Sequence, residues 1–144
     1  MKKLLILFIL CFSALAAHAP EYRVQYIEPG VKIDPYKSIF YAVAMVESSM
    51  NPNAYNRAEN AVGIVQIREI RIRDYNKRAN KNYKLTDCYD PEISRIVFMY
   101  YAREIGWRNQ EKLIRCWNGG PQGMKIKQTK IYYNKVLLTL KKYY

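Results

Sequence analysis

Few side chains in this 144-residue chain are placed to move a proton, and Glu47 stands out among them. It lies late in a run where Ile39, Val43, Val46 and Met50 recur at spacings of four, three and four. Such spacing makes one apolar stripe along a helix. At about 100° per residue, Glu47 falls roughly 60° from the centre of that stripe, with Phe40 and Val43 before it on the adjacent face. A carboxyl on this border loses part of its hydration, and desolvation raises its pKa. A general acid near neutral pH needs that shift. A helix-border glutamate paired with one of the many lysines or arginines has the same signature, so the helix alone leaves both readings open.

Other groups suited to a polar ligand follow in order. Ser48 adjoins the glutamate, and a loop rich in asparagine (Asn51, Asn53, Asn56, Asn60) comes next. Gly63-Ile64-Val65-Gln66 then offers a glycine, which admits close approach of backbone or ligand, and an amide suited to sugar hydroxyls. Cys116-Trp117-Asn118-Gly119-Gly120 supplies an aromatic that can stack on a sugar and an amide that can bond an acetamido group. Each piece alone is what an ordinary helix end looks like.

Elimination narrows the chemistry. His18 is the only histidine, and it lies in a targeting segment. Lys2 and Lys3 precede an apolar run from Leu4 to Leu15, and Ala17-His18-Ala19 reads as a cleavage site, so residues 1–19 are expected to be a signal peptide. The run is short for a membrane span, and no later stretch is apolar enough to cross one. After cleavage no histidine remains. Ser-His-Asp and Cys-His catalysis and histidine-containing zinc sites are then excluded. Neither a metal nor a cofactor is expected. Carboxylates are left as the proton carriers.

A formal charge of +12 draws an exported protein to anionic polymers. Nucleic acid is set aside, because a signal peptide argues against it and the basic run Arg68, Arg71, Arg73 reads as a solvated helix face. Cys11 leaves with the signal. Cys88 and Cys116 remain and, in an oxidising compartment, form a candidate disulfide.

The elements that must position these groups are helical. Residues 20–33 read as an extended arm broken at Pro29-Gly30, and residues 34–144 as the domain. Asp34-Pro35 opens the helix that carries Glu47, with Asp34 as its cap. A second helix is expected from Gly63 to about Lys77, with Ile64, Ile67 and Ile70 as its apolar positions. Asp90-Pro91 opens a third, closed by Gly106. Asn109 caps a fourth that runs to Trp117, and Thr129 caps a fifth. Five helices and almost no strand make an all-α domain.

In this order the motifs resemble the soluble lytic transglycosylase domain family, a relative of goose-type lysozyme. A helix ending in Glu-Ser is matched by Glu47-Ser48, and Gly-Leu-Met-Gln by Gly63-Ile64-Val65-Gln66. An Asp-Pro-led helix is matched from Asp90-Pro91. Ala-Tyr-Asn-Ala-Gly is matched by Cys116-Trp117-Asn118-Gly119-Gly120, and a late Thr-Arg-x-Tyr by Thr129-Lys130-Ile131-Tyr132. The likeness covers about residues 36–140. The chain departs from the pattern at Trp117, where the family has tyrosine, and at Ser94-Arg95 and Phe98, where it has Asn-Ile and a glycine.

The resemblance implies a lysozyme-like helical domain with a cleft, and peptidoglycan glycan strands as substrate. Glu47 would protonate the glycosidic oxygen between N-acetylmuramic acid and N-acetylglucosamine. It would then take the proton of the muramyl 6-hydroxyl as that group closes to a 1,6-anhydro end. Ser48, Gly63, Gln66, Trp117, Asn118 and Tyr132 would shape the cleft. A lysozyme-like hydrolase would use Glu59 as a second carboxyl, and a wall-binding protein without catalysis is the alternative from another class. A monomer in the periplasm or cell-wall space is expected, with a secretion or conjugation assembly as a partner by analogy.

Overall fold

The computed structural model describes residue 34 and residues 36–143. The signal segment, the extended arm and Cys11 lie outside the described residues. Five helices carry the domain: α1 (Lys37–Ser48), α2 (Glu69–Ala79), α3 (Pro91–Ile105), α4 (Gln110–Gly119) and α5 (Lys127–Tyr143). Between α1 and α2 lie three two-residue strands, β1 (Tyr55–Asn56), β2 (Ala61–Val62) and β3 (Ile67–Arg68), paired antiparallel in that order. Tyr55 faces Val62, and Val62 faces Ile67. The fold is the all-α, lysozyme-like one expected, with this small sheet added. Among the described residues no helix is long and apolar enough to cross a membrane.

Helix α3 runs through the middle. Its Phe98 is fully buried and packs edge-on against Phe40 of α1 at 5.5 Å and Trp117 of α4 at 4.8 Å between ring centroids. Where the family pattern has a glycine, this chain fills the core with that ring. Val43, Val97, Leu113, Ile114 and Val136 complete the centre. Ser94, the other departure on α3, is buried and donates to Cys88 O at 2.6 Å. That bond ties α3 to the short 3-10 segment Leu85–Tyr89.

Helix ends match the expectations unevenly. Asp90 caps α3 by accepting from Glu92 N at 2.7 Å, with Pro91 at the first turn, and Gly106 ends the helix at φ +85°. Asp34 accepts from Tyr36 N, and α1 begins at Lys37, so this aspartate orders the turn before the helix and is not its cap. Asn109 precedes α4 without a side-chain cap and donates to Ile105 O. α5 starts two residues before Thr129, whose buried hydroxyl donates toward Gly123 O and Ile126 O.

The expected helix from Gly63 is corrected. Positive φ at Gly63 (+78°) and Gln66 (+53°) turns the chain, Ile67–Arg68 is strand, and α2 begins only at Glu69. Ile64 and Ile67 are buried, whereas Ile70 is 72% exposed, so the three isoleucines never share a helix face. The disulfide is corrected as well. Cys88 and Cys116 are both free and buried. Cys88 lies in the 3-10 segment, and Cys116 lies on α4 with its thiol 4.0 Å from Pro121 O.

Candidate active site

Glu47 occupies the last turn of α1. Two non-glycine residues with positive φ, Ser49 (+54°) and Met50 (+67°), end that helix. Ser49 N bonds Met45 O, the single 5→1 bond of an αL cap, and Met50 N reaches further back to Ala44 O, so the helix closes without its usual glycine. Left-handed backbone costs roughly 1–2 kcal/mol per non-glycine residue. The turn just past the glutamate is therefore held by its surroundings and not by local preference.

The decisive contact comes from α5. Helices α1 and α5 pack together, and Tyr132 donates its hydroxyl to Glu47 Oε1 at 2.7 Å, 85 residues away in sequence. Burial pushes the Glu47 carboxyl above its ordinary pKa. The Tyr132 bond, Arg68 and Arg71 pull the other way, Glu59 adds to the rise, and burial prevails. Tyr132 is itself held well above the ordinary phenol value, by burial first and by Glu47 second. It stays a donor throughout the working range of a carboxyl. With Oε1 accepting from tyrosine, the proton of the neutral acid belongs on Oε2.

Three motif residues turn out to serve one loop. Ser48 Oγ donates to Ile64 O at 2.8 Å, Gln66 Nε2 to Gly63 O at 2.9 Å, and Trp117 Nε1 to Val65 O at 3.2 Å. Three successive carbonyls are thus each fixed by a different side chain. Trp117 is 4% exposed and anchors the loop through its indole N–H. Its indole N–H can only donate, and donation is what this position uses. Gln66 spends its N–H on the loop and keeps its Oε1 as the polar acceptor left to it.

Gly63 is explained by its neighbour. A side chain there would fall on the carbonyl oxygen of Cys88. The glycine therefore admits backbone, with no ligand needed to account for it.

The residues that sequence reasoning missed are arginines. Arg71 Nη2 donates to Trp117 O at 2.8 Å and Cys116 O at 3.2 Å, and Arg68 Nη2 donates to Asn118 O at 2.7 Å. These carbonyls belong to the last turn of α4, where a cation is favoured; Cys116 O also accepts from Gly120 N. Arg71 also lies 4.4 Å over the Trp117 ring. The i, i+3 spacing of Arg68 and Arg71, which sets both on one side of a helix start, was the available signal. Glu59 is exposed and pairs with Arg68 at 3.8 Å.

Site and cavity meet at Arg68, Arg71 and Trp117. A cavity of about 590 Å³ is lined by residues including Arg71, Arg78, Tyr101, Leu113 and Trp117, and by none of Glu47, Ser48, Gly63, Gln66, Asn118 or Tyr132. Among the described residues no group of three or more His, Cys, Asp or Glu is placed to hold a metal ion.

A scan against family models matches the transglycosylase SLT domain over residues 27–135. Searches of curated proteins and of solved structures found no match. With the match spanning most of the chain and the helical fold in agreement, this chain belongs to the transglycosylase SLT domain family, whose general function is peptidoglycan cleavage of the lytic-transglycosylase type.

Proposed function

We propose that this chain is an exported lytic transglycosylase that cuts the β-1,4 bond between N-acetylmuramic acid and N-acetylglucosamine, with Glu47 as its single acid and base. The observation that carries the reading is the part-buried carboxyl held through one oxygen by Tyr132. In the first step Glu47 Oε2 gives its proton to the glycosidic oxygen. The bond from that oxygen to the muramyl anomeric carbon breaks, and Glu47 becomes a carboxylate, which the Tyr132 hydroxyl stabilises. In the second step the carboxylate takes the proton of the muramyl 6-hydroxyl. That oxygen closes onto the anomeric carbon, giving the 1,6-anhydro end and returning Glu47 to its neutral form. The substrate supplies the nucleophile, so one carboxyl completes the cycle.

Raised pKa and tyrosine bond suit the two halves in turn. Burial favours the protonated acid for the first step, and the phenol eases the carboxylate state between the steps. The Ser48, Gln66 and Trp117 bonds fix the loop beside the acid, and fixed dipoles need no reorganisation when charge develops. Glu59 has its carboxylate turned to Arg68, which speaks for the single-carboxyl reading over a hydrolase with two. The site of action is the periplasm or cell-wall space.

Mass spectrometry of digested peptidoglycan tests the product. 1,6-Anhydro ends are expected from the wild type and none from Glu47→Gln. Hydrated reducing ends would instead mean a hydrolase, and clearing by Glu47→Gln at the wild-type rate would remove Glu47 from the chemistry.

A further inference from the structure

Helix α5 carries Tyr132 toward Glu47 on one face and has a different character on the other. Ile131 and Leu138 are 57% and 68% exposed. Seven residues apart, they lie within about 20° of each other around the helix. Lys127, Lys135 and Lys142 fall within about 40° of Ile131 on the same face, and all three are exposed. No acid occurs in α5, and none follows Glu111 anywhere in the sequence, while eight lysines and arginines do. Glu111 itself is taken up by Arg115 and Lys130, and Lys130 sits off the stripe. Met124 and Ile126 are exposed just ahead of the helix.

We propose that this face of α5 docks on an anionic phospholipid surface, with Ile131 and Leu138 entering the acyl boundary and the three lysines meeting the headgroups. A helix with apolar residues flanked by lysines on an outward face has the pattern of interfacial binding, and each lysine near an anionic leaflet adds to the attraction. Charge alone would also suit a wall polymer or a nucleic acid. Two large apolar side chains set among the lysines favour the bilayer over either polymer, because of the three a bilayer alone offers them hydrocarbon. The stripe lies about 100° around the helix from Tyr132, so docking leaves the Glu47–Tyr132 contact on a separate face. The proposal does not depend on the catalytic reading.

The test is co-sedimentation with vesicles. Among the described residues the buried core falls within Tyr36–Val136, and the unit that begins at Asp34 is compact in itself. A chain starting at residue 20 therefore retains the fold and removes the apolar run at residues 4–15 from the measurement. Binding is expected to phosphatidylglycerol–phosphatidylcholine vesicles, with at least about tenfold less to phosphatidylcholine alone. Ile131→Ser with Leu138→Ser should weaken binding to the mixed vesicles about tenfold or more, at an unchanged Tm because both side chains are exposed. Lys127→Gln, Lys135→Gln and Lys142→Gln together should abolish the preference for the anionic lipid. The proposal is overturned if the wild type does not sediment with the anionic vesicles, or binds both kinds equally. It is also overturned if the serine variant binds as well as the wild type, since that is adsorption by charge alone.

Discussion

Replacing Tyr132 by phenylalanine removes one oxygen and keeps a ring that is only 9% exposed, so packing between α5 and α1 should survive. What disappears is the 2.7 Å bond to Glu47 Oε1. A hydrogen bond to a charged acceptor is worth about 1.5–3 kcal/mol, and one to a neutral acceptor about 0.5–1.5 kcal/mol. The difference, roughly 1–1.5 kcal/mol, falls on the carboxylate. At a given pH that alters the balance of charged to neutral Glu47 by about tenfold in favour of the neutral acid. Burial already pushes this carboxyl upward, and without the phenol nothing equally close opposes it. The side chain also loses the contact that assigns its proton to Oε2.

Two effects should appear together in initial rates of peptidoglycan clearing followed across pH. The maximal rate should fall by about ten- to a hundredfold, the range for a mispositioned proton donor. The alkaline limb, where the general acid loses its proton, should move to higher pH. A lower rate with the alkaline limb unmoved would show that the phenol is only packing, and the electrostatic argument would fail. An unchanged rate would deny the tyrosine any part. Stability of the variant in thermal unfolding should be lowered by no more than about 3 kcal/mol, the worth of the one bond lost, because the ring stays in the core.

Other outcomes follow from the same contacts. Because the folded state raises the Glu47 pKa, the native protein binds more protons than the unfolded chain between the two pKa values. Stability is then lost as pH rises through that window. Glu47→Gln should unfold at higher temperature than wild type above the window, and the gap should close below the ordinary carboxylate range; a constant gap would contradict the burial argument. Gly63→Ala should cost at least about 2 kcal/mol, from left-handed backbone and a collision with Cys88 O, lowering Tm by about 8 °C or more; a Tm within a degree or two of wild type would deny the close approach. Cys88 is fully buried with its thiol pushed up to about 12, mainly by burial, so it should not be alkylated in the native state. Cys88 and Cys116 should both react on denaturation without reductant, and labelling that requires reductant would restore the disulfide.

How far the sequence could be read depended on the range of the forces involved. The stripe on α1 is local, so it placed Glu47 at the helix border, and Asp90-Pro91 announced α3 through its own backbone chemistry. Between Gly63 and Arg68 the same kind of counting failed. Isoleucines at three-residue spacing imitated a helix face, but positive φ at Gly63 and Gln66 turned the chain, and Ile70 emerged in solvent. The contacts that the motif residues make inside the fold were not legible. Ser48, Gln66 and Trp117 read as cleft walls, yet each spends a donor on a loop carbonyl, and a periodicity argument carries no information on which carbonyl will lack a partner. Arg68 and Arg71 read as a solvated basic face for the same reason. Their partners, the last carbonyls of α4, lie more than forty residues downstream.

Those arginines bear on why one carboxyl suffices in the proposed mechanism. A second carboxylate close to Glu47 would raise its pKa further and make the charged state between the two steps harder to reach. Glu59 does push in that direction, but Arg68 pairs with it, and Arg68 and Arg71 both favour the Glu47 carboxylate. Arg71 is the more deeply set of the two, and burial lowers its own pKa, but a guanidinium in a protein keeps its charge. Its charge is thus permanent, and at close quarters in a desolvated site it is screened less than a surface charge would be. The glutamate is balanced between burial, which favours the acid form, and a phenol with two guanidinium groups, which favour the base form. A group that must give a proton and then take one back within a single turnover requires that balance, with neither form so stable that the other step stalls.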